Sequence, residues 1–148
     1  IYTLSLHDAL PILASEFLKL TNTYFCLMPD AEKVVRYLAS KYPLTIISNG
    51  FKEVQYYKFE HSGLAPYFTH RLISEEVGIN KPQPGIFEIA LLRNGITADQ
   101  AIMIGDSYSS DIAGAKAASI DQIWIHEGET SETATYIVPK FTDVMEIV

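Results

Sequence analysis

One cysteine, Cys26, stands in 148 residues, which excludes a disulfide framework and a cysteine-based zinc site. No apolar run approaches the roughly 20 residues that a membrane-spanning helix needs. Basic residues are few: Lys+Arg 11 against Asp+Glu 18, a formal net charge of -7. No basic stripe is present to release counterions from a phosphate backbone, so a nucleic-acid polymer is not an expected partner. Internal repeats and low-complexity stretches are also lacking. What is there is ordinary for a folded domain: 48% hydrophobic and 20% charged residues, which excludes intrinsic disorder. The length fits a single domain with a real core. The expected setting is a reducing, aqueous compartment, cytoplasmic, with no membrane partner.

Residues 1–12 read IYTLSLHDALPI. They carry no basic leader region, and His7 and Asp8 interrupt the apolar stretch. Back-translated, the segment resembles the sense strand of a widely used sequencing-library adapter. On that resemblance it is excluded from fold reasoning. The expectation is then a natural reading frame that begins at about Leu13, with its own N-terminus missing. The other reading is a genuine strand over residues 1–6 with a loop broken by Pro11.

From residue 13 onward helical and strand-like segments alternate. Residues 14–25 read as a helix. Asp30 is a candidate N-cap for a helix carrying Val34, Val35 and Leu38 on one stripe, ending before Pro43. Residues 44–47, 71–74, 101–104 and 122–125 are short apolar runs that read as buried parallel strands. Between them residues 54–62, 84–94 and 111–118 read as helices, the second stopped by Gly95. Residues 141–147 read as a closing helix. This alternation predicts an α/β fold with a parallel, Rossmann-like sheet, whose active site lies at the carboxyl ends of the strands.

Three groups of residues sit at those ends. Ser48-Asn49-Gly50 follows the first apolar run and offers a hydroxyl and backbone N–H groups to a phosphate, although Asn-Gly is also a common turn. Lys81 precedes Pro82, which biases it toward an extended backbone and so fixes its direction. A positioned ammonium there can neutralise a phosphate and a carboxylate together. Asp106 and Asp111 flank the end of a third strand, where two carboxylates suit a hard cation such as magnesium, Mg²⁺. Asp111 has a second reading as a helix N-cap.

In this order and strand context the groups resemble the motifs of the haloacid dehalogenase (HAD) superfamily. Ser48 matches its second motif, Lys81 its third, and Gly105-Asp106 with Asp111 its fourth. The runs Ser48-Asn49-Gly50-Phe51, Ser62-Gly63-Leu64, Tyr67-Phe68 and Ser74-Glu75-Glu76-Val77-Gly78 further resemble its pyrimidine 5′-nucleotidase branch, which acts on non-standard nucleotides. The resemblance implies a three-layer core over residues 28–148, with residues 13–27 a remnant of a cap or cap–core linker. It implies a Mg²⁺-dependent phosphatase acting on a small phosphomonoester, a nucleoside 5′-monophosphate, through an aspartyl-phosphate. Carried over, Ser48, Asn49 and Gly50 bind the phosphate and Lys81 orients nucleophile and phosphate. Asp106 binds the metal, with Asp111 beside it directly or through water. Glu75 lines the site with no fixed role.

The chain departs from that pattern in its first motif. No Asp-x-Asp occurs anywhere, so the nucleophile and the acid–base aspartate are absent. The family's central first strand and most of its cap are expected to be missing. Ser119 stands where relatives commonly place Gly, at about 1 kcal/mol if its backbone is left-handed. Two other readings follow: a non-catalytic fragment or binding module, and a dehalogenase of the same superfamily. Dehalogenases need no metal, so the Asp106/Asp111 pair favours the phosphatase. Ser48, Lys81, Asp106 and Asp111 are expected to meet at one sheet edge.

Overall fold

A computed structural model describes Ser15, Leu20 and residues 25–148. The expected adapter-like segment lies outside the described residues, as does most of the helix expected over 14–25.

Helix α1, Ala31–Ala39, places Val34, Val35 and Leu38 on its buried face. Asp30 stands at its N-cap as expected, but in a left-handed conformation and without a side-chain capping bond. Strand β1, Thr45–Ser48, leads into α2, Lys52–His61. Strand β2, His70–Ile73, runs directly into a single-turn helix, α3, Ser74–Val77, which the sequence pattern did not distinguish from the strand end. Helix α4, Pro84–Asn94, has the predicted bounds: Pro84 starts it and Gly95 ends it. Strand β3 is Ile102–Gly105. A π-helical turn, Tyr108–Ile112, follows and opens into a short helix, α5, Ala113–Ala117. Strand β4, Asp121–Ile125, and a further strand β5, Tyr136–Val138, are followed by a 3₁₀ turn, Phe141–Glu146, in place of the expected closing α-helix.

All strand pairs are parallel. Strand β1 pairs with β2, Ser48 opposite Ile73. Strand β3 pairs with β4, Gly105 opposite Trp124, and β4 with β5. The alternation of side chains along β3 divides the core into two faces, as a period of two requires. Ile102 and Ile104 pack with Val34, Leu38, Ile123, Val138 and Val144, beneath α1 and the C-terminal turn. Met103 packs on the other face with Ile86, Phe87, Ala115 and Ile120, beneath α4 and α5. Helices on both faces of parallel strands make a three-layer, Rossmann-like α/β core.

Among the described residues β1 is bonded only to β2, and β3 only to β4. Every residue of β1 and β3 is half-buried, whereas Leu72 and Ile73 of β2 and Gln122–Trp124 of β4 are buried. The carboxyl ends of β1 and β3 are joined instead through side chains.

Candidate functional site

Those joining side chains begin with Asn49, the first residue after β1. Its carboxamide makes two reciprocal bonds with one backbone unit: the Lys81 N–H donates to Asn49 Oδ1 at 2.8 Å, and Asn49 Nδ2 donates to the Lys81 carbonyl at 2.9 Å. Asn49 thereby imitates a strand partner and fixes the Lys81 backbone at the end of β1. The Lys81–Pro82 peptide is cis. From this anchor the Lys81 ammonium reaches back to two acceptors, the Ile47 carbonyl at 2.9 Å and Asp111 Oδ1 at 2.7 Å. Both side chains of the pair are buried, at 10% and 8% exposure, so the charges meet largely away from water.

Asp111 is held by the turn that follows β3. The Ser107 carbonyl accepts the N–H groups of Asp111 at 2.8 Å and Ile112 at 3.3 Å, which produces the π-helical geometry. The Ser107 N–H donates to Asp111 Oδ2 at 3.2 Å, and Ser110 Oγ donates to Oδ1 at 3.4 Å. Ser107, not Asp111, is the N-cap of this turn, its Oγ accepting from the Ser110 N–H at 3.4 Å. The carboxylate that the cap reading assigned to a helix start points back at Lys81.

Asp106 is placed differently. It is exposed, and among the described residues its carboxylate accepts no hydrogen bond. Its backbone carbonyl accepts from Trp124 Nε1 at 3.0 Å. The Trp124 ring is stacked on His126 at 4.2 Å and tilted against Tyr108 at 5.0 Å, so an aromatic group braces the loop that carries Asp106. Glu132 beside Tyr108 holds its phenol above the ordinary tyrosine range.

The phosphate-loop residues are also engaged. Ser48 Oγ donates to Gln55 Oε1 at 2.8 Å, and the Gly50 N–H donates to Ser74 Oγ at 3.2 Å. Glu75, expected to line the site, accepts the Lys52 N–H at 2.5 Å at the start of α2. The structure therefore brings Lys81, Asp111 and Asn49 together, with Ser48 at the same strand end and Asp106 at the next. Ser74 was noted only within a resemblance run, and Gln55, Ser107 and Trp124 are supporting residues that sequence reasoning passed over. Only the last carried a signal, as the single tryptophan of the chain at a strand end.

The donor set bears on a metal. Among the described residues no group of three or more His, Cys, Asp or Glu gathers around one point. Mg²⁺ commonly takes one or two protein carboxylates together with water and substrate phosphate, a requirement that Asp106 and Asp111 can meet. Both Asp111 oxygens already have partners, which leaves Asp106 as the carboxylate whose oxygens meet no partner among the described residues.

A parallel three-layer α/β core with a buried lysine–carboxylate pair at its carboxyl edge defines a Rossmann-like domain whose site lies at the strand ends. The profile of the haloacid dehalogenase-like hydrolase family matches residues 8–119, and the chain belongs to that family. It is 35% identical over 100 residues to the pyrimidine 5′-nucleotidase YjjG of Escherichia coli, covering 67% of this chain and 44% of that protein. It is 32% identical over 133 residues to a glyceraldehyde 3-phosphate phosphatase of Pyrococcus furiosus, covering 84% of this chain and 55% of the relative. Among solved structures, the HAD-hydrolase YfnB of Bacillus subtilis bound to magnesium superimposes with a TM-score of 0.85 at 27% identity, over 92% of this chain and 62% of that one. The chain spans from about a third to just over half of the curated relatives it matches. Among the described residues no helix is long and apolar enough to cross a membrane.

Proposed function

We propose that residues 28–148 are the core of a Mg²⁺-dependent phosphomonoesterase acting on nucleoside 5′-monophosphates with non-standard pyrimidines. The observation that carries this reading is the Lys81 ammonium, fixed between the Ile47 carbonyl and Asp111 at the carboxyl ends of β1 and β3. A buried ammonium with a donor left over is suited to a phosphate oxygen as a point charge, since Lys carries three donors and two are used here. The named activities of the relatives, pyrimidine 5′-nucleotidase and phosphatase, support a small phosphoester as substrate.

In this reading Ser48 and the Asn49–Gly50 backbone receive the phosphate, and Lys81 neutralises it. Asp106 would hold Mg²⁺ directly, with Asp111 beside it through water, because Lys81 and Ser107 occupy its oxygens. The metal, when bound, supplies charge neutralisation at the phosphoryl oxygens. Asp111 keeps the Lys81 ammonium aimed, and the π-helical turn keeps Asp111 in place. The nucleophile belongs to an Asp-x-Asp pair that no part of this sequence supplies. The phosphoryl transfer is therefore assigned to a parent protein carrying such a pair on a strand beside β1 and β3. The adapter-like resemblance of residues 1–12 stands beside a family match that begins at residue 8; in this reading residues 13–27 belong to the parent's cap or cap–core linker. The missing pair equally favours a second reading, a phosphate-binding module without turnover.

The deciding experiment joins an Asp-x-Asp-bearing strand and cap upstream of residue 28. Mg²⁺-dependent phosphate release from pyrimidine nucleoside monophosphates, lost in Asp106→Asn, is the expected result. Halide release from haloacids in the absence of metal would assign the dehalogenase reading instead.

A further inference from the structure

We propose that Gln55 is a positioning residue for Ser48, its carboxamide setting the direction in which the Ser48 hydroxyl proton points. The inference rests on Ser48 receiving a phosphate oxygen and names the residue that controls that capacity. A serine hydroxyl has one proton, and the oxygens of a phosphate dianion only accept. With Ser48 Oγ donating to Gln55 Oε1 at 2.8 Å, that proton points at α2, and a phosphate at the strand end meets lone pairs.

The terminal torsion of a glutamine is broad and roughly two-fold. Turning the carboxamide over exchanges Oε1 and Nε2 without moving α2. Nε2 then donates to Ser48 Oγ, and the Ser48 proton is released to donate to phosphate. Both orientations keep the hydroxyl hydrogen-bonded, so the exchange leaves no polar group orphaned.

The same amide touches the other end of the loop. An ideal Cβ at Gly50 would lie 2.8 Å from Gln55 Nε2, so the carboxamide lies directly against the bare Cα of Gly50, whose φ is +146°. On its other side Gly50 donates to Ser74 Oγ, a buried hydroxyl on α3. The phosphate loop is clasped between α3 and α2, and Gln55 contacts both of its polar ends, Ser48 and Gly50. It lies close against Gly50 and cannot withdraw in that direction.

The test is calorimetric titration of inorganic phosphate into the wild-type chain and into Ser48→Ala, Gln55→Leu and Gln55→Glu, at pH 7.5 and pH 4.5, with thermal melts in parallel. Ser48→Ala is expected to weaken phosphate by about 3- to 10-fold, the loss of one hydrogen bond. Gln55→Leu, which removes the orienting amide, is expected to weaken it about threefold. Gln55→Glu presents an acceptor alone at pH 7.5 and is expected to weaken it by about tenfold or more. At pH 4.5 a carboxyl of ordinary pKa is about half protonated, and part of that deficit should disappear. Relief of charge repulsion alone would bring Gln55→Glu no further than Gln55→Leu at that pH, whereas recovery beyond Gln55→Leu marks a donor returned to Ser48. Gln55→Glu tracking the wild type at both pH values while Ser48→Ala weakens binding overturns the inference alone. Phosphate affinity unchanged in Ser48→Ala overturns the phosphate reading of Ser48, and this inference with it. Should Gln55→Glu not fold, wild-type affinity in Gln55→Leu overturns the inference.

Discussion

Asp111 occupies the space a side chain at Gly105 would need: an ideal Cβ there would lie 2.5 Å from both Cβ and Oδ2 of Asp111. The end of β3 and the carboxylate that holds Lys81 are thus in direct apposition. A Gly105→Ala substitution must push either the strand end or the π-helical turn outward. We expect a destabilisation of about 1–3 kcal/mol, the usual cost of overpacking, measured as a drop in the urea midpoint. Phosphate affinity should fall in the same variant, because Lys81 loses its aim.

The Lys81–Asp111 pair is buried, and breaking it from one side should cost more than removing it whole. Lys81→Met leaves a buried, uncompensated carboxylate, expected to cost about 3–5 kcal/mol in chemical denaturation. The double variant Lys81→Met/Asp111→Leu should lose much less than the sum of its two single variants. Strict additivity would show that the two charges do not interact in solution.

Ser119 has a φ of 59°, the left-handed conformation in which its expected cost applies. It follows α5, where the Ile120 N–H returns to the Ala115 carbonyl at 2.9 Å and closes the helix end. Ser119→Gly should therefore raise stability by about 0.5–1 kcal/mol, visible as a higher melting temperature.

The chain as written should release phosphate from nucleoside monophosphates negligibly. Loss of a covalent nucleophile that works as part of a unit costs on the order of 10⁶ in kcat. Robust turnover by the 148-residue chain, abolished by Asp106→Asn, would mean that the site is complete without the Asp-x-Asp pair.

Strands β1 and β3 each have one hydrogen-bonded neighbour among the described residues, and all their side chains are only half-buried. A central strand buries roughly three large apolar side chains, at about 1.5–3 kcal/mol each. That is comparable to the ~5–15 kcal/mol stability of a whole domain. The chain is expected to melt early, with weak near-UV circular dichroism. A sharp cooperative transition above ~60 °C in a soluble monomer would contradict this.

Strand alternation and strand ends were legible in the sequence because apolar runs such as Ile102–Ile104 have one physical meaning when followed by Gly105 and Asp106. Helix α4 was legible to the residue, since Pro84 and Gly95 punctuate it. Strand β5 was not: Tyr136–Val138 is three residues long with two of them exposed, too short to show a period. The helix expected over 111–118 begins instead as a π-helical turn, because Ser107 accepts the N–H five residues on, a choice no side-chain pattern records. At the site, residue types announced Ser48, Lys81, Asp106 and Asp111. Their hydrogen-bond partners depend on rotamers and on distant packing. Asn49 was singled out for its backbone N–H, and the carboxamide clamp on Lys81 is a second role that residue type alone does not record.

Trp124 has a use beyond bracing. It is the sole indole in the chain, buried, and bonded through Nε1 to the Asp106 carbonyl. Its emission is therefore a label-free optical reporter of a single loop. Any cation that draws the Asp106 carboxylate inward must shift that carbonyl and with it the indole's surroundings. A fluorescence titration would then follow metal arrival at this position with no need for turnover.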